Sequence, residues 1–134
     1  MELGFKYNDG GRSKYFKGRT GDCVTRAIAI ATGKDYKEVY NTIKELIGRS
    51  PRNGTYKEET RYVMEYYGFT WVSCMHGRGC ECHLRKDELP DGRIVCNVTH
   101  HLTAVIDGVI NDTHNPSRNG TRCVYGYWYI DEDK

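Results

Sequence analysis

Between residues 22 and 32 the apolar positions Val24, Ala27, Ile28 and Ala31 recur at intervals of three and four, the spacing of one helix face, and Gly33 suits the C′ position. Thr20 or Asp22 is the expected N-cap, which puts Cys23 in the first turn. A second helix is predicted from Asp35, with Glu38 as capping partner, Tyr36, Val39, Tyr40, Ile43 and Ile47 on one face, and Gly48 at its end. Thr55 and Glu58 repeat the capping signature for a third helix, whose Tyr62, Val63 and Tyr66 are expected to face inward before Gly68 ends it. Beyond Gly68 the pattern turns to strands. Residues 69–74, 93–98, 101–106, 109–113 and 121–130 read as strands, and residues 75–89 as a long loop broken by Gly77 and Gly79, expected with the N-terminal arm to wall a cleft. Asp107-Gly108 between two apolar runs is the strongest hairpin signal in the chain. Residues 1–20 have no period and read as an extended arm across the body. Helices followed by an antiparallel sheet give an α+β fold, and 134 residues suit one domain, residues 1–134.

Composition narrows the classes. A net charge of +2 with evenly mixed signs argues against a nucleic-acid or membrane surface. The basic residues Lys6, Arg12, Lys14, Lys17 and Arg19, interleaved with Tyr7 and Tyr15, are expected to form a solvated arm rather than a phosphate clamp. The first residues carry no basic-then-apolar export pattern, so a cytoplasmic protein is expected, with its six cysteines reduced.

Reduced cysteines are judged one by one. A thiol in the first turn of a helix is drawn toward thiolate by unpaired N–H groups and the positive end of the helix dipole, and Cys23 has that place. A small buried hydrophobe is the plain alternative. A nucleophile needs a base, and His100 and His101 stand at the mouth of the predicted hairpin. If Asp107-Gly108 is a two-residue loop, Thr103 opposes Asp112 and His101 opposes His114. His101 and Asp112 are then diagonal neighbours on one face, roughly 7 Å apart by backbone, while His100 points the other way. A three-residue turn would reverse that parity and favour His100. In the first case Asp112 orients His101, and His101 serves Cys23.

Taken in order, Gly21-Asp22-Cys23 opening a helix, His101 to Val105 (His-Leu-Thr-Ala-Val) beginning a strand and Asn111-Asp112-Thr113 on the next resemble papain-like cysteine peptidases, nearest to the small bacteriocin-leader-processing type. A closer resemblance, over most of the chain, is to small uncharacterised proteins of bacteria and their phages. It rests on Tyr7-Asn8-Asp9-Gly10-Gly11-Arg12, Thr20-Gly21-Asp22-Cys23, His83-Leu84 before Glu88-Leu89-Pro90, and residues 112–117 (Asp-Thr-His-Asn-Pro-Ser). The resemblance implies a papain-like fold and a Cys-His-Asp hydrolase site. It also exposes a departure: such enzymes carry a Gln some six residues before the nucleophile to bind the oxyanion, and this chain has no Gln and places Lys17 there. The Cys23 N–H is one donor; Asn8, Lys17 and Thr20 are candidates for another.

Two rival readings stay open. Cys74, His76, Cys80, Cys82 and His83 are zinc-type donors, but without a CxxC knuckle their spacing is poor, so no metal or cofactor is expected. A catalytically silent papain-like module, a phage protein docking a host factor through Tyr residues, is the alternative to an enzyme. The leading expectation is a thiol-dependent hydrolase of a peptide or isopeptide-like amide, with Cys23, His101 and Asp112 catalytic and a peptide or protein as substrate.

Overall fold

The structure is a computed structural model and describes residues 2–17, 21–75, 77 and 79–130. Three helices, α1 (Cys23–Thr32), α2 (Tyr36–Ile47) and α3 (Lys57–Tyr66), pack against a six-stranded sheet. Its strands are β1 (Gly4–Tyr7), β2 (Phe69–Ser73), β3 (Arg93–Val98), β4 (His101–Ile106), β5 (Val109–Asp112) and β6 (Gly126–Ile130), in the order β1-β5-β4-β3-β6-β2. The class is α+β, but the sheet is mixed rather than antiparallel: β1 runs parallel to β5, pairing Gly4 with Val109 and Tyr7 with Asp112. That strand comes from the segment expected only as an extended arm across the body. All four of its residues are exposed, so it has no buried face and leaves no period to read.

The capping chemistry explains the helix bounds. Asp35 accepts from the Lys37 and Glu38 N–H groups at the start of α2, and Gly33 and Gly48 close α1 and α2 in the left-handed conformation. In α3 the signature is displaced by one residue, Glu59 accepting from the Tyr56 N–H at 2.8 Å. Its apolar face shifts with it, so Val63 and Met64 are buried while Tyr62 and Tyr66 are exposed. At α1 the Asp22 side chain makes no cap hydrogen bond, and Thr20, the other expected cap, lies outside the described residues.

Both faces of the sheet are covered. Val24, Ile28, Val39, Ile43, Val63 and Met64 of the helices meet Val95 and Trp128 on one side. On the other, Cys82 and Leu84 of the long loop and Val124 close over Ile94, Cys96, Val105 and Ile110. The consecutive burial of Ile94, Val95 and Cys96 follows from this double cover. The 75–89 loop is therefore mainly the roof of a second core, and of its described residues Met75 alone lines the large cleft. That corrects its expected role as a cleft wall; an apolar sheet face with no helix to cover it recruits the nearest chain.

A second correction concerns redox state. Cys80 and Cys123 form a disulfide across a separation of 43 residues, whereas Cys23, Cys74, Cys82 and Cys96 are free thiols. The partner of Cys80 is distant in sequence and was invisible to local spacing.

The edge of the sheet near the cleft depends on one glycine. Trp71 and Trp128 are register partners on β2 and β6 with ring centroids 5.0 Å apart, and a Cβ at Gly126 would overlap the Trp71 ring and the Val72 carbonyl. Gly126→Ala is expected to lower stability by about 1–3 kcal/mol, because neither a strand carbonyl nor a packed indole yields freely. Urea unfolding measures it, and an unchanged midpoint would show that the indole has room to move.

Candidate active site

Cys23 is the first residue of α1, where the opening N–H groups have no intrahelical acceptor. His101 is the first residue of β4 and Asp112 the last of β5, so the hairpin between them decides whether they meet. Asp107 and Gly108 both take positive φ, 48° and 80°, making the two-residue loop that pairs Ile106 with Val109 and Ala104 with Asn111. The resulting register carries His101 and Asp112 to one face. His101 Nε2 lies 2.7 Å from Asp112 Oδ2, and the rings of His101 and His114 lie 5.0 Å apart. His100 instead occupies the turn after β3 with φ 56°, exposed at the rim of the cleft.

Asp112 is almost fully buried and well supplied with donors. Thr103 Oγ1 donates to its Oδ2 at 2.6 Å, and the Thr113 N–H donates to Oδ1 at 2.7 Å. Burial acts to raise its pKa, but these bonds and the His101 charge outweigh it and leave the carboxylate below its ordinary value. With Nε2 committed to Asp112, the Nδ1 side of His101 is left for Cys23, and both side chains line the same cleft and shift each other's ionisation. Burial likewise opposes ionisation of Cys23, yet the bond from His101, the Leu102 N–H and the charges of His101 and Arg26 bring its pKa below the usual thiol range. For His101, desolvation favours the neutral ring, but Asp112 and Cys23 prevail and push its pKa up to about 9. A thiolate-imidazolium pair at neutral pH is the state these opposite shifts favour.

Behind the site lies a group that sequence reasoning mistook for a cap. Asp22, 1% exposed, pairs with Arg12 Nε at 3.0 Å, with Arg26 Nη1 and with the Tyr36 hydroxyl. Arg26 also reaches to 3.9 Å from Asp112, so this cluster abuts the triad's carboxylate. Arg12 is therefore an anchor, not part of a solvated arm. Its string explains how it arrives: Gly10, at φ 70°, lets the arm run against α1, where a Cβ would stand 3.2 Å from the Arg26 carbonyl. Arg19 lies outside the described residues.

The oxyanion candidates fare differently. Asn8 donates through Nδ2 to Asn111 Oδ1 at 3.2 Å and accepts from the Gly10 N–H at 2.8 Å, so its amide serves the arm rather than the cleft. Lys17 is exposed and lines the cleft with Cys23, and Thr20 is not described. The cleft, about 1780 Å³, runs from the arm past Cys23 and His101 to Trp71 and Met75.

His101, Asp112 and His114 place ligand atoms within 4.8 Å of one another, but the carboxylate already accepts from His101, Thr103 and Thr113. Of the residues expected to make a poor zinc cluster, His76 lies outside the described residues, and Cys74 and Cys82 are buried in the second core. No helix among the described residues is long and apolar enough to cross a membrane. No family profile matches the chain, and no curated protein or solved structure is significantly similar to it.

Proposed function

We propose that the protein is a papain-like thiol hydrolase acting on a peptide or isopeptide-like amide. The observation that carries this reading is the His101–Asp112 hydrogen bond set beside Cys23 in one cleft, with the thiol pKa lowered and the imidazole pKa raised. In the reaction the Cys23 thiolate adds to the carbonyl carbon, and the oxyanion is held by the Cys23 N–H at the helix start. His101 gives its proton to the leaving amine as the C–N bond breaks, leaving an acyl-thioester and a neutral ring. That ring then takes a proton from water as the hydroxyl adds to the thioester, and the thiolate leaves with the pair restored. Asp112 holds the ring orientation throughout. A cleft of 1780 Å³ exceeds the range of about 300–1000 Å³ typical of small-molecule pockets, which favours an extended chain as substrate.

The alternative, a silent binding module, is favoured by one observation: Asn8 is turned to Asn111 and so supplies no oxyanion donor. The two readings part with p-nitrophenyl acetate. A hydrolase releases a burst of about one nitrophenolate per chain, followed by turnover, and Cys23→Ala abolishes both. A slow linear release that survives Cys23→Ala would sink the enzyme reading.

A further inference from the structure

The roof of the second core carries donors that the hydrolase does not use. Cys80, bonded to Cys123, has its sulfur 3.4 Å from His83 Nε2, and His83 Nδ1 stands 3.1 Å from Glu88 Oε1. His83 and Cys123 face each other as an antiparallel bridge, so backbone pairing fixes all three donors relative to one another. Glu88 accepts the Nδ1 proton, which turns the Nε2 lone pair toward the sulfurs. A disulfide sulfur has no proton to offer that lone pair. The order carboxylate, imidazole, sulfur is instead the one found where a carboxylate orients a histidine ligand of zinc.

We propose that Cys80, His83 and Cys123 bind one zinc ion when the Cys80–Cys123 bond is reduced, with Glu88 orienting His83 and water completing the fourth position. Reduction by a cellular dithiol breaks the sulfur–sulfur bond: two electrons and two protons pass to Cys80 and Cys123, and the dithiol itself becomes a disulfide. Zinc then displaces both thiol protons into solvent and accepts the Nε2 lone pair. Tetrahedral zinc with bonds of about 2.3 Å to sulfur holds the two sulfurs about 3.8 Å apart. Their Cα atoms, 5.8 Å apart, face each other closely enough to share such an ion. Cys80 and His83 are separated by two residues, a chelating interval that goes unnoticed when Cys74 and Cys82 are counted into the set. Those two thiols take no part, because both are buried in the second core beneath the roof. Met75 and Tyr125, near this site in sequence, line the cleft, so the ion would also brace one of its ends.

The test uses the full chain carrying Cys23→Ala, so that the site thiol cannot bind metal, reduced with a phosphine and loaded with cobalt(II) or zinc. The expected result is about one ion per chain by plasma mass spectrometry, with a thiolate-to-cobalt charge-transfer band. Cys123→Ser should remove most of that band, and His83→Ala and Glu88→Gln should each weaken zinc at least about tenfold in competition with a chromophoric chelator. A reduced protein with no thiolate-to-cobalt band overturns the proposal without reference to any variant. So does a band that Cys123→Ser leaves intact, since the ion would then sit elsewhere.

Discussion

His101→Ala should cut the rate of p-nitrophenyl acetate turnover by about 10³-fold and, in the same protein, slow alkylation of Cys23 by iodoacetamide at pH 7 by about tenfold or more. The two effects have one cause. Cys23 is held in a setting where burial favours the neutral thiol, and the His101 bond and charge are the leading contributions that reverse it. Without them burial is opposed by the Leu102 N–H and the Arg26 charge, and the thiol pKa rises. The thiolate fraction at neutral pH falls accordingly, partly offset because a more basic thiolate is the better nucleophile. Alkylation reads only this loss. Turnover also loses the proton donor and acceptor, so its decrease is larger.

The pH profile separates the two roles. In the native protein turnover should hold a plateau that ends on the alkaline side near 9, where His101 loses its proton, while alkylation needs only the thiolate and continues beyond that limit. The same shift bears on stability. His101 rises from an ordinary 6.5 to about 9, so its contribution to folding is complete below 6.5 and is lost as pH rises through 9. A His101→Ala protein whose alkylation profile coincides with the native one would dissociate the two side chains and remove the hydrolase reading with them.

What made this site legible was parity. Asp107-Gly108 dictated a two-residue loop, and from that loop alone His101 and Asp112 fell on one face and His100 did not. Helix period placed Cys23 at the start of α1 for a similar reason, since Val24, Ala27, Ile28 and Ala31 are buried as their spacing requires. The parts that escaped are those with no local signature. Strand β1 is exposed along its length, the Cys80–Cys123 bond spans 43 residues, and the loop over the second core follows no period because its shape is dictated by the sheet beneath it. Asp22 misled for the opposite reason. Its place before the helix matched a cap, but pairing with Arg12 and Arg26 is worth more to a fully buried carboxylate than one N–H bond.

That pairing sets the largest expected change in stability. Asp22→Asn keeps the shape of the side chain but removes its charge, leaving the Arg12 and Arg26 guanidiniums, 12% and 11% exposed, without their shared anion. Arg12 is already short of partners, its Nη2 being buried and unbonded, and the other carboxylate beside Arg26, Asp112 at 3.9 Å, is taken up by His101. Removing one member of a buried ion pair costs about 3–5 kcal/mol, against the roughly 5–15 kcal/mol that holds a domain folded. Tyr36 adds to the loss, since its hydroxyl donates to Asp22 and its pKa is raised by burial and by that bond. Urea or thermal unfolding of Asp22→Asn should therefore show a marginal fold. Adding Arg12→Met should restore part of the lost stability, because a stranded cation is removed with its hydration demand and replaced by an apolar chain of similar length. If Asp22→Asn unfolds within about 0.5 kcal/mol of the parent, the cluster is not what ties the arm to α1. If the double variant is no better than the single one, the cost lies in lost hydrogen bonds rather than in stranded charge.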